Sequence, residues 1–91
     1  MDDAELDAIE ARCKAASPGP WKSFIEGRDH RSGDDFIQVG DDADGPDMYV
    51  SRHTSSGLRP ASAQDLDFIA AARQDIPDLL AELKRLRSQG P

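Results

Sequence analysis

Pro18, Gly19 and Pro20 follow one another directly, after a helical pattern and before Trp21, the only tryptophan of the chain. No helix or central strand runs through such a stretch. Proline lacks an N–H and fixes φ, and glycine loses the most freedom on ordering. The chain must turn here, and a different element must begin at Trp21. Upstream, Leu6, Ile9, Cys13 and Ala16 recur at helical spacing and predict a helix over 3–16. Asp2 with Glu5 three residues on reads as a carboxylate variant of a capping box. Acids lead and bases follow, as the helix dipole prefers.

Downstream the period changes from helical to alternating. WKSFIEGR predicts a strand over 21–28, FIQV one over 36–39 and MYVSRH one over 48–53. Their links are rich in Asp and Gly and read as hairpin loops, so a three-stranded antiparallel meander is the economical arrangement. Residues 55–60 read as a linker. Ser62 then opens a helix over 62–74, and Pro77, tolerated in a first turn behind an Asp75 cap, predicts a second helix over 76–88. The fold class is therefore α+β: an N-terminal helix, a three-stranded antiparallel meander and two C-terminal helices in tandem, all in a single domain over 1–91.

A chain of 91 residues with 37% hydrophobic and 5% aromatic residues builds a thin core. A second copy is the usual remedy, so a homo-oligomer is expected. Ile76, Leu79, Leu80, Leu83 and Leu86 form the apolar stripe expected at that interface. The stripe is too short for a free-standing coiled coil, so it would contribute to a larger shared core.

The net charge is −7, and no third of the chain is basic, which disfavours direct nucleic-acid binding. The acidic surface would also suit a basic host protein. The acidic N-terminus does not read as a signal peptide, and no apolar run reaches the length of a bilayer span. The expectation is a cytoplasmic protein without membrane association.

Against this acidic background, both histidines and four arginines gather in and beside the expected strand ends. Trp21, Arg28, Arg31, Arg52, His53 and Arg59 are the candidate ligand-binding residues: an aromatic ring to stack on, and guanidinium groups to hold an anion. Two plainer readings stand beside this one. Trp21 can instead seal the thin core where helix meets sheet, and the arginines can pair with loop aspartates.

Other chemistry finds less support. GDDADGPD (40–47) resembles a calcium loop, but alignment on Gly45 puts Gly40 at the first ligand position and Ser51 at the twelfth. A single cysteine, Cys13, excludes an intramolecular disulfide and any cysteine-rich zinc site. There is no Gly-x-Ser-x-Gly elbow and no phosphate loop. No catalytic residue, metal site or cofactor is expected, and the protein reads as non-enzymatic.

Pro18-Gly19-Pro20-Trp21 and the tail Asp65-x-x-Phe68-Ile69-Ala70-Ala71-Ala72-Arg73-x-Asp75-Ile76-Pro77-x-Leu79-Leu80-Ala81-Glu82-Leu83 resemble the Ead-type family of short phage and prophage accessory proteins. The strand region carries no such likeness. The resemblance implies a phage-type accessory or counter-defence protein and no catalytic residues. Two functions follow as expectations. One is sequestration of a small anionic, cyclic-nucleotide-like ligand. The other is inhibition or bridging of a host protein, in the host cytoplasm if the chain is phage-encoded.

Overall fold

The computed structural model describes residues 1–31, 33–41 and 45–90. The first helix, α1, covers Asp3–Ala15, and the Asp2 carboxylate accepts from Glu5 N at 2.8 Å as the capping pattern predicts. The Pro-Gly-Pro segment then crosses close above the C-terminal helix. A Cβ on Gly19 would lie 3.2 Å from Gln74 Oε1 and 3.5 Å from Arg73 Cγ, so a larger residue here requires the Gln74 side chain to give by a few tenths of an ångström.

Three strands form the expected antiparallel meander: β1 (Trp21–Phe24), β2 (Phe36–Val39) and β3 (Asp47–Met48). Trp21 pairs with Val39, Ser23 with Ile37, and Ile37 in turn with Met48. The first strand stops at Phe24, short of the expected residue 28. Asp29 and Asp35 cause this, because their carboxylates capture Ile25 N at 2.9 Å and Glu26 N at 2.7 Å. Those donors are lost to the ladder, and Gly27, at φ 86°, turns the chain away.

The expected strand 48–53 is two strands in two sheets. Its start is β3. Its end belongs to β4 (Ser51–Thr54), which pairs only with β5 (Gly57–Pro60). The presumed linker 55–60 is thus the turn and second strand of a hairpin. Thr54 Oγ1 donates to Gly57 O at 2.7 Å and accepts from Ser56 N at 3.2 Å, and Gly57 takes φ 107°. The expected turn over 40–47 lies partly outside the described residues, which omit 42–44.

The tandem helices 62–74 and 76–88 are one helix, α2 (Ala63–Ser88), capped by Ser62 accepting from Asp65 N at 3.1 Å. Asp75 is interior and caps nothing. Pro77 removes a donor for the Arg73 carbonyl, but its fixed φ is helical. Packing on both sides of it outweighs the missing bond: Leu66 and Ala70 are buried before it, and Leu80 after it.

The core is as thin as composition predicts. Ile25, Ile37, Ala61, Leu66 and Ala70 are its buried residues, with Trp21, Val39, Met48, Val50 and Ile69 around them. It sits between one face of the meander and the N-terminal half of α2. A smaller contact joins α1 to the C-terminal half of α2, where Leu6 and Leu80 are buried.

Candidate functional site

Strand alternation assigns the two faces of the meander. Trp21, Ser23 and Ile25 point toward α2: Ser23 Oγ donates to Asp67 of that helix at 2.5 Å, and Ile25 lies in the core. Lys22 and Phe24 point the other way, together with Phe36, the register partner of Phe24. Among the described residues no helix covers that second face. What lines it is a row of rings. Phe24 stacks on Phe36 with centroids 5.2 Å apart and planes 9° from parallel. Phe36 meets Tyr49 at 5.8 Å and His30 at 5.4 Å, and Lys22 Nζ lies 5.0 Å from the centre of the Phe24 ring. Tyr49 ends the row with 60% of its surface exposed.

Two residues beyond Tyr49 the hairpin of β4 and β5 begins. Its root is fixed in the core: Ala61 is buried, and its N–H donates to Val50 O at 2.9 Å. From there all eight strand residues are exposed, and among the described residues the arm packs against no other strand or helix. Arg52 stands directly opposite Arg59, and His53 opposite Leu58. Like charges facing each other across a strand pair destabilise it, and a hairpin packed on nothing is marginal in water. Among the described residues no carboxylate pairs with Arg52 or Arg59, and the sequence holds no acid between Asp47 and Asp65. The arm is a basic projection from an acidic chain.

The six sequence candidates therefore divide. Arg52, His53 and Arg59 share the arm. Arg31 is exposed in the loop after β1, next to His30 and the ring row. Arg28 lies elsewhere and its charge is already committed. Its NH1 and NH2 each donate to Asp67 at 2.9 Å, and its Nε donates to Asp29 at 3.0 Å. The hydrogen bonds from Arg28 and Ser23 hold the Asp67 carboxyl at about 2, below its ordinary 3.8.

Trp21 is half-buried on the helix side. Gln74 grips its backbone, accepting from Trp21 N at 2.8 Å and donating to Trp21 O at 3.2 Å. Its ring borders a groove of about 510 Å³ between α1 and α2, with Ile69, Ala72 and Ile76 among the other walls. The residue after the prolines is thus a joint between helix and sheet.

The residues that sequence reasoning missed are Phe24, Phe36 and Tyr49. Alternation alone puts Phe24 opposite Trp21, but only the register brings Phe36 beside it and Tyr49 to the end of the row. The arrangement offers the exposed Tyr49 ring for a planar group and, one short step along the chain, paired guanidinium groups for an anion. Among the described residues no group of three or more His, Cys, Asp or Glu is placed to hold a metal ion, and no helix is long and apolar enough to cross a membrane. No protein-family model, curated protein or solved structure matches the chain.

Proposed function

We propose that this chain is a non-enzymatic binding protein for a nucleotide-type ligand, with the base against the Phe24–Phe36–Tyr49 row and the phosphate against Arg52 and Arg59. The observation that carries this reading is a ring row, exposed at Tyr49, that ends at the root of an arm whose arginines face each other without an acid. Rings and guanidinium groups are complementary to the two halves of a nucleotide. The same chemistry serves a linear, cyclic or multi-phosphate ligand. The resemblance to phage accessory proteins favours a sequestering role, in which the protein withdraws a nucleotide signal from host machinery.

A thermal-shift panel of linear, cyclic mono-, di- and trinucleotides tests this. A ligand at a hundred times its Kd stabilises by about 2.7 kcal/mol, and each kcal/mol moves Tm by roughly 4–8 °C in a domain of this size. The expected result is a clear shift with one ligand class. Tyr49→Ala should lower its affinity about tenfold, because stacking contributes ~1–3 kcal/mol per base. The Arg52→Ala/Arg59→Ala pair should lower it further, and Trp21→Phe should leave it unchanged. A flat panel, or a shift untouched by Tyr49→Ala and the arginine pair, overturns the reading. It would direct the search to a basic host protein.

A further inference from the structure

Helix α2 carries two apolar faces, and the chain covers only one of them. Leu66, Ala70 and Leu80 are buried against the sheet and α1. At 3.6 residues per turn, Phe68, Ala72, Ile76, Leu79, Leu83 and Leu86 fall within a separate sector of roughly 80°. Phe68 is 75% exposed, Leu79 67% and Leu86 52%. The stripe adjoins the groove between α1 and α2, whose walls include Met1, Ile9 and Ile76. Of the residues predicted for an interface, Leu80 is taken up inside the chain; Ile76, Leu79, Leu83 and Leu86 remain open.

We infer that a second copy of this chain packs on that stripe, α2 antiparallel to α2 about a two-fold axis near Leu79. This goes beyond the ligand reading and does not depend on it. Area is the first argument. The exposed parts of the stripe and Met1 amount to roughly 600 Å² of apolar surface, against the ~800 Å² per partner of a standard interface. That lies at the upper end of what a monomer leaves in water, and it adds what a thin core lacks.

Charge decides the occupant and its direction. Residues 63–78 of α2 hold four acids and one base, while residues 79–88 hold one acid and three bases. An antiparallel pair sets the acidic half of each copy along the basic half of the other. Ile76 then meets Leu83 of the second copy, and Ala72 meets its Leu86. Parallel packing would align acids with acids and bases with bases.

Sedimentation velocity and light scattering across micromolar to millimolar protein test the inference. The expected wild-type species is a dimer, and Trp21 emission should change with dilution because its ring borders the groove beside Ile76. Leu79→Asp should give a monomer with unchanged helical circular dichroism. In a Cys13→Ser background, Ile76→Cys mixed with Leu83→Cys should form the hetero-disulfide, while Ile76→Cys alone should not cross-link. A wild-type monomer at every concentration overturns the proposal. So does a dimer that survives Leu79→Asp, or an Ile76→Cys homo-disulfide in place of the mixed one.

Discussion

The two halves of α2 are continuous in backbone and opposite in how they are held. Before Asp75 the helix is fastened to the rest of the chain at every turn. Leu66 and Ala70 enter the core, Asp67 accepts from Ser23 and Arg28, Arg73 Nε donates to Ser17 O at 2.9 Å, and Gln74 clamps Trp21. After Asp75 only Leu80 is buried, and the side-chain hydrogen bonds to α1 are ionic. Lys84 donates to Glu10 at 2.6 Å and to Asp7 at 3.4 Å, and Arg87 donates to Asp3 at 2.7 Å. Apolar content is similar in the two halves. Whether a leucine there stabilises the fold or awaits a partner depends on whether the chain supplies a surface opposite it.

The sharpest way to break this comparison is one leucine from each half. Leu66→Ala should cost about 2–5 kcal/mol, the range for a truncated buried leucine, because Leu66 is 1% exposed at the centre of the core. Leu79→Ala, measured at a dilution where the chain is monomeric, should cost less than ~0.5 kcal/mol, as surface substitutions do. Chemical denaturation of both variants checks this. Equal losses would mean that the C-terminal half is packed as tightly as the N-terminal half.

Pro77, close to where the halves meet, gives the next effect. Alanine there supplies the N–H that the Arg73 carbonyl lacks. Proline is ~3 kcal/mol worse than alanine in a helix interior, so Pro77→Ala should raise stability by about 1–3 kcal/mol. A drop in the denaturation midpoint would show that the proline ring has a packing role that outweighs the missing bond.

This proline also shows why sequence reasoning reached only part of the fold. The α1 cap, the meander order and the thin core were readable because each follows from local chemistry or composition. The tandem helices were not. Asp75-Ile76-Pro77 is a sound helix start in isolation, and only the packing on both sides of it carries α2 straight through. The β4–β5 hairpin was missed because Gly57-Leu58-Arg59-Pro60 has no apolar alternation; its geometry comes from Gly57 and from Thr54. In the candidate site, the arginines and His53 stood out as basic residues in an acidic chain. The ring row did not, because it depends on a register that places Phe36 beside Phe24. Trp21 drew attention by its rarity, and its place is set by Gln74, 53 residues away.

The smallest predicted effect separates the halves by pH. Asp67 ties the N-terminal half of α2 to the sheet, and Glu10 ties the C-terminal half to α1. Hydrogen bonds from Arg28 and then Ser23 lower Asp67 from 3.8 to about 2, and those from Lys84 and then Lys14 lower Glu10 from 4.5 to about 2. Both carboxyls are depressed on folding, so each contributes stability that is fully present above its unfolded pKa. That contribution fades as the pH falls through the unfolded value and is gone below the folded one. Stability should therefore decline between about pH 4.5 and pH 2. Both pairs are open to solvent, which keeps the effect modest and sensitive to salt. Asp67→Asn should flatten the lower part of that decline, and Glu10→Gln should flatten a part that begins at higher pH. Asp67 acts on an element joined to the core, so its variant should change global unfolding. Glu10 acts on α1, so its variant should change mainly amide exchange in α1 and the last turns of α2. If Glu10→Gln shifted global unfolding as much as Asp67→Asn, the C-terminal half would be coupled to the core through α1, and the two halves would be held alike.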